Sequence, residues 1–275
     1  MKSTFEGRIA FIGGGNMAQA LIGGLLSQGL KASRIVVSEP VAALREQLSA
    51  RGVHVTADNM QAVSQADVVV LAVKPQVMGE VLASLQTVMK NQLVLSIAAG
   101  LTTSTLSKML GGYARIVRAM PNTPALVQTG ATGLYAGDAV STDDRQLAQQ
   151  LLSATGMVLW VADEDQMHAV TAVSGSGPAY FFYWMESMIA AGQALGLDEK
   201  TARDLTLQTA LGAAQMAITS GDSPARLRQN VTSPNGTTQA ALESMAASQF
   251  PQLIEQALKA AADRSVTLST ALDQL

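Results

Sequence analysis

The chain contains no cysteine, which excludes disulfides, thiolate nucleophiles and cysteine-ligated metals. Histidine is almost missing as well. His54 and His168 are the only two and lie far apart in sequence, so a histidine-rich metal site cannot be assembled. Neither lies near a plausible nucleophile, and each reads as an ordinary solvated or hydrogen-bonded residue. No carboxylate cluster has the spacing of metal ligands, so no metal is expected. Charge is scarce: 14% of residues are charged, the formal net charge is −3, and no Lys/Arg cluster stands out. Neither nucleic acid nor an anionic membrane is therefore expected as a partner. Long apolar runs are lacking too, since the stretches Val68 to Val73 and Leu93 to Leu101 fall well short of a membrane span. Met1 to Glu6 hold no apolar signal-peptide core, and a cytoplasmic location is expected.

What is present is apolar. Hydrophobic residues make up 48% of the chain and the mean hydropathy is +0.22, with Ala and Gly supplying much of the total. Combined with so few charges, this points to apolar surface buried between subunits. The 275 residues leave room for one large domain or two ordinary ones.

The stretch from Arg8 to Leu26 organises the rest. A short apolar run, Ile9 to Ile12, ends in Gly13-Gly14-Gly15 and passes into helix-period spacing through Met17, Leu21, Ile22 and Leu25. Strand, tight turn and helix follow one another, and Gly13, Gly15 and Ala18 fit the G-x-G-x-x-G/A dinucleotide fingerprint. Gly13 allows the turn, Gly15 the approach of a pyrophosphate, and Ala18 the packing of helix on strand. The helix start then offers free N–H groups and its positive dipole end to the phosphates.

Further strands read at Arg34–Ser38, Gly52–Thr56, Asp67–Val73, Leu93–Ile97, Arg115–Met120, Gly133–Ala136 and Val158–Val161. Helices read between them at Val41–Ala50, Asn59–Ser64, Pro75 to about Lys90, Thr103–Leu110 and Asp143–Ala154. Such alternation predicts an α/β doubly wound, Rossmann-like sheet with right-handed crossovers. Ligands sit outside the carboxyl ends of such strands. Those ends are the glycine turn, Ser38, Lys74-Pro75, Ala98 to Gly100 and Pro121 to Pro124, and they imply a common site.

From Glu164 the texture changes. Strand signals vanish, and helices read at Pro178–Leu195, Leu197–Thr219, Ser223–Asn230, Thr237–Ala247 and Pro251–Leu272, with Pro178 and Pro224 suited to first turns. Residues 1–163 are thus expected to form the dinucleotide-binding domain and 164–275 an all-α domain.

An acidic residue about twenty positions beyond the glycines favours NAD. Glu39 lies near that position, but Ser38 ends the strand and Arg45 follows on the next helix. The reading favours NADPH over NADH, with Ser38 donating to a 2′-phosphate and Glu39 pointing outward. The polar turn Asn230 to Thr238 runs straight into a helix. It reads either as a capped helix start or as a holder of a carboxylate on free N–H groups. Ser174-Gly175-Ser176-Gly177 is not a G-x-S-x-G elbow, and no strand leads into it. A reaction that asks little of side chains fits best, and hydride transfer qualifies because a cofactor carries the chemistry.

The residues also carry a resemblance. Phe11 to Ala18, Ala72-Val73-Lys74-Pro75, Ala98-Ala99-Gly100, Met120 to Pro124, Ser174 to Tyr180 and above all Val231-Thr232-Ser233-Pro234-Asn235-Gly236-Thr237-Thr238 resemble the pyrroline-5-carboxylate reductases over nearly the whole chain. That family makes proline from its cyclic imine. The resemblance implies cofactor contacts at Ile12, Gly13, Gly14, Gly15, Asn16, Met17, Ser38, Asn59, Ala72, Val73, Lys74, Pro75, Ala98, Ala99 and Gly100. It implies substrate contacts at Glu164, Asn230, Ser233, Gly236, Thr237 and Thr238, with Thr238 on the imine nitrogen as the catalytic residue. It also implies a helical dimerisation domain, interlocked homodimers, and a decamer or other larger ring of dimers as an alternative.

Two rivals compete. β-Hydroxyacid dehydrogenases place a catalytic lysine on the first long helix of their second domain, and Pro178 to Leu195 contains none. A nucleotide sensor without turnover would share the fold, but the complete turn from Ser233 to Thr238 argues for an enzyme.

Overall fold

The structure, a computed structural model, describes residues 5–274. Met1 to Thr4, part of the stretch scanned for a signal-peptide core, and Leu275 lie outside the described residues. The described chain forms two compact units, one running to Ser176 and resuming at Ala261, the other Gly177–Ala260. In these units the segment after the last strand, through Ser176, stays with the sheet, and the stretch from Ala261 returns to it.

The first unit begins with β1 (Ile9–Ile12), α1 (Asn16–Ser27), β2 (Ile35–Ser38), α2 (Ala42–Ser49), β3 (His54–Thr56), α3 (Asn59–Val63) and β4 (Val68–Leu71). It continues through α4 (Pro75–Leu85), β5 (Leu93–Ser96), α5 (Thr103–Met109), β6 (Ile116–Met120), β7 (Gly130–Ala136), α6 (Thr142–Leu152), β8 (Gly156–Trp160) and the short α7 (Gln166–Val170). Strand order in the sheet is β3-β2-β1-β4-β5-β6-β7-β8. All pairings are parallel except β6 with β7, which is antiparallel. The doubly wound expectation thus holds with one exception. Between Met120 and Gly130 the chain makes only a short 3-10 turn, Thr123–Val127, and a parallel return needs a crossover of about a dozen residues.

Strands β1, β4 and β5 are buried along their whole length, which is why they read as continuous Val/Ile/Leu runs rather than alternating ones. One face packs Phe11, Val37, Val70 and Leu95 against Leu21, Ile22 and Leu25 of α1. The other packs Ile12, Leu71 and Val94 against Met78 and Leu82 of α4 and Leu106 of α5. Each such fully buried side chain contributes about 1.5–3 kcal/mol. Together these layers hold the loops at the strand ends in place.

Three local expectations shift. Helix α4 stops at Leu85 rather than near Lys90, and the chain tightens into a turn in which Val88 donates its N–H to Leu85 O, three residues back instead of four. Strand β7 starts at Gly130 instead of Gly133, carried by backbone pairing with β8 from Gly130↔Gly156 onward; Gly-Ala-Thr-Gly has no apolar alternation to announce a strand. After β8 the sequence shows no element before Pro178, yet α7 forms and passes into a π-helical turn, Thr171–Gly175. Five residues are too few to display a 3.6 period.

The second unit contains α8 (Gly177–Ala194), α9 (Glu199–Thr219), α10 (Pro224–Asn230) and α11 (Thr237–Ala247), and α12 (Phe250–Leu272) begins there and ends in the first unit. Asp198 accepts from Thr201 N–H and Ser223 from Arg226 N–H, which sets where α9 and α10 start. Among the described residues, no helix is long and apolar enough to cross a membrane.

Candidate active site

Strand order places the first unit's crevice between β1 and β4, where the chain direction of winding reverses. Gly13 closes the turn there. Its φ is +99°, its N–H donates to Ser38 O at 2.8 Å, and a Cβ would stand 2.8 Å from Ala72 O. Gly15 follows in extended conformation as the residue capping α1, without any side-chain cap on that helix start. A Cβ at Gly15 would meet nothing within 4 Å. Gly15 and Asn16 are exposed and Met17 half-buried. The first-turn N–H groups of α1 therefore open onto free space, as anion binding requires.

The remaining strand ends gather round this turn. At β2, buried Ser38 donates its hydroxyl to Asn59 Oδ1 at 2.7 Å, so two residues expected at the cofactor are joined directly. At β4, Ala72 N–H donates to Ile12 O at 2.8 Å, and Lys74 leads into Pro75, the first residue of α4. At β5, Ile97 N–H donates to Leu71 O at 3.1 Å, and Ala98, Ala99 and Gly100 form the turn into α5. At β6, Asn122 donates to Ser174 O at 3.1 Å and accepts from Ala131 N–H at 2.8 Å, tying this turn to the π-helical turn and to β7.

Glu39 does not point outward. It is 6% exposed, and its Oε2 accepts the Gly14 N–H at 2.8 Å while Oε1 accepts that of Val41 at 3.0 Å. A carboxylate beside a glycine turn finds two unpaired backbone donors there, and satisfying them outweighs solvation at the surface. Arg45 caps the same strand end from outside, with Nη1 donating to the carbonyls of Glu39 and Pro40, each at 2.7 Å.

Glu164, expected beside the substrate, is engaged within the first unit. Its Oε1 accepts from Thr103 N–H at 2.8 Å and from Arg118 Nη1 at 3.1 Å, and its Oε2 from the Thr103 hydroxyl at 2.7 Å. Arg118, 3% exposed on β6, needs a counter-charge, since an unpaired buried guanidinium is strongly destabilising. Sequence reasoning missed Arg118 because a cation in a β-strand carries no sign of its partner.

His168 lies close by, with Nδ1 2.9 Å from Ser265 Oγ. Burial, followed by the Arg118 charge, pushes its pKa down, only partly opposed by Asp165 and Glu164. The unfolded chain then binds the proton more readily, so this contribution to stability is complete above about 6.5, the ordinary histidine value, and is lost as pH falls towards the lower folded value. The thermal midpoint should fall as pH is lowered through that window, and His168→Gln should flatten the slope. An unchanged slope in that variant would assign the effect to another group.

The second unit carries the other feature. Asn230 ends α10, and the turn after it is closed by a 3.0 Å bond from Gly236 N–H to Ser233 O, with Asn235 at φ +57°. Gly236 caps α11 with no side-chain cap, and Thr237 and Thr238 are its first two residues. Ser233 and Thr237 are exposed, while Gly236 and Thr238 are half-buried. The turn is braced by Gln239, whose Oε1 accepts from Asn235 N–H at 2.8 Å and whose amide donates to Glu243 at 2.7 Å. Gln239 was missed, although a Gln three residues past a helix cap is a legible capping signal. The result is an open helix start with hydroxyls beside it, suited to a small carboxylate.

Comparison with known proteins shows the family. Residues 8–100 match a family model described as NADP oxidoreductase, coenzyme F420-dependent, and residues 164–268 one described as pyrroline-5-carboxylate reductase dimerisation. A pyrroline-5-carboxylate reductase of Pseudomonas aeruginosa is 54% identical over 97% of this chain and 98% of its own. The solved structure of a pyrroline-5-carboxylate reductase from Coxiella burnetii superposes with a TM-score of 0.93 at 45% identity, covering 96% of this chain and 99% of that one. A pyrroline carboxylate reductase from Plasmodium falciparum with NADP bound gives a TM-score of 0.86 at 29% identity, covering 96% and 98%.

Proposed function

Because the chain belongs to the pyrroline-5-carboxylate reductase family, we propose that it reduces 1-pyrroline-5-carboxylate to L-proline, using a nicotinamide cofactor held at the Gly13–Gly15 turn. One observation carries the assignment of the substrate half: the open helix start at Gly236–Thr238, behind a turn braced by Gln239. The residues of the first unit fit a dinucleotide, since the space beside Gly15 is free and the start of α1 has no side-chain cap. Ile12 to Met17 cradle its pyrophosphate, Ser38 and Asn59 meet the adenosine ribose, and Ala72 to Pro75 with Ala98 to Gly100 border the nicotinamide side. When bound, the reduced nicotinamide supplies a hydride to the imine carbon.

The substrate carboxylate rests on the N–H groups of the Ser233 to Thr238 turn, with Asn230 beside it. The Thr238 hydroxyl holds the ring nitrogen and relays to it a proton that is replaced from solvent, so that hydride at carbon and proton at nitrogen together turn C=N into C–N. Glu164, implied beside the substrate by the resemblance, is held in the first unit by Thr103 and Arg118. Most of the acceleration comes from orientation and proximity. The helical unit exposes Phe181, Phe182 and Tyr183 at 65%, 62% and 72%, three consecutive aromatics that a monomer leaves in water. A second copy covers them in an interlocked dimer, and the substrate turn of one protomer serves the cofactor held by its partner.

NADPH is the favoured cofactor. Glu39, the acidic residue that would favour NAD, is buried with an oxygen on each of two backbone N–H groups, whereas Arg45, anchored on the carbonyls of Glu39 and Pro40, brings a positive charge to the end of β2 that favours a 2′-phosphate. The test is imine-dependent oxidation of NADPH and NADH, read as loss of nicotinamide absorbance. Faster oxidation of NADPH at equal concentration is expected. Faster NADH oxidation overturns the cofactor reading. No oxidation of either by a folded protein that still binds nucleotide overturns the reductase.

A further inference from the structure

We propose that the last turn of α12, through Leu272 and Asp273, positions the Ala98–Gly100 turn and thereby sets how tightly the dinucleotide is held. The inference rests on the reading of that turn as a cofactor contact. Gly100 adopts φ +83°, and a Cβ there would stand 3.0 Å from Leu272 Cδ1 and 4.0 Å from Ser269 N. The end of the chain thus lies against the cofactor turn with no room for a side chain between them. Ser265 and Ser269, 7% and 4% exposed, sit one helical turn apart on the buried face of α12 and are small enough to permit this approach.

A carboxylate supplies the second contact. Asp273 Oδ1 accepts the hydroxyl of Thr105 in a short hydrogen bond and lies 3.3 Å from the hydroxyl of Thr102. Thr102 is the cap of α5, accepting from Thr105 N–H at 3.1 Å, and the two hydroxyls are 2.8 Å apart. Asp273 is itself held by its N–H on Ser269 O at 2.9 Å. An aspartate just past the C-terminal end of a helix opposes that helix's dipole, whereas the same charge at the start of α5 complements the other. Its position makes electrostatic sense only through α5, whose cap Thr102 lies two residues beyond Gly100. Thr105 is 5% exposed, so its hydroxyl has no water to replace a lost acceptor.

Asp273 and Leu272 touch no reacting atom and are positioning residues. The test uses the full-length protein, with NADPH dissociation measured directly from its own fluorescence, alongside kcat, both KM values and the thermal midpoint. Asp273→Ala and Thr105→Val should each weaken NADPH binding about tenfold, and the double variant should be no weaker than either alone. Thr105→Ser should keep wild-type binding, the imine KM should stay near wild type throughout, and the thermal midpoint should fall by a similar small amount in Asp273→Ala, Thr105→Val and the double variant. Unchanged NADPH affinity in Asp273→Ala overturns the proposal. So does a parallel fall of affinity, kcat and midpoint with additive effects in the double variant, which is the behaviour of a purely structural contact. A wild-type protein that binds NADPH but leaves the imine unreduced defeats the reductase reading alone, because the binding measurement does not depend on turnover.

Discussion

Gly15→Val is expected to weaken dinucleotide binding by at least about 100-fold, near 2.7 kcal/mol, while the protein melts at its wild-type temperature. Gly15 has φ −68° and ψ −179°, extended backbone that valine adopts readily. A Cβ there meets no atom within 4 Å, so the folded chain has no need of glycine at this position. The need comes from the ligand. The first N–H groups of α1 reach a pyrophosphate only if the backbone can come within hydrogen-bond distance, and an isopropyl group fills that gap. Gly13 provides the contrast, because its φ of +99° and the Ala72 carbonyl 2.8 Å from its would-be Cβ make valine there a folding defect. Titrating NADPH fluorescence and recording a thermal melt on both variants separates the two roles. Wild-type affinity in Gly15→Val would move the pyrophosphate away from this turn.

Thr238→Ala should lower kcat about 100-fold, the lower end of the range for a positioned proton-handling group, with NADPH affinity and thermal midpoint unchanged. Threonines further along the helices can spend their hydroxyls on the carbonyl four residues back, as Thr219 does on Gln215 and Thr267 on Asp263. Thr238, second residue of α11, precedes any such helical carbonyl, and its hydroxyl stays available beside the open helix start. Alanine is also the better helix former, so loss of activity in this variant cannot be blamed on the fold. Thr238→Ser keeps the hydroxyl and should keep most of the rate. Steady-state kinetics on the two variants decides the matter, and wild-type kcat in Thr238→Ala would remove the residue from the mechanism.

The comparison of sequence with structure turns on the range of the interactions involved. The Ile9–Ile12 run, the glycine turn, the helix spacing after it and the caps at Asp198 and Ser223 are determined by residues within a few positions of one another. Periods of two and 3.6 residues and local capping encode them fully. The mostly parallel sheet, its strand ends and the turn before Thr237 were therefore legible from the sequence alone. The orientation of Glu39 was not, because its partner Gly14 lies 25 residues away. Neither was the Arg118–Glu164 pair, separated by 46 residues, nor the Thr105–Asp273 contact, separated by 168. Glutamate and aspartate look alike in a sequence whether they face water or a buried donor. Only folding brings the donor within reach, and burial then makes leaving that donor unpaired more costly than turning the carboxylate inward. The sequence by itself determined the long periodic elements and their alternation, because period and capping act within a few residues, whereas the tertiary structure decided which buried donors the charged side chains meet, because those partners lie far apart in the chain.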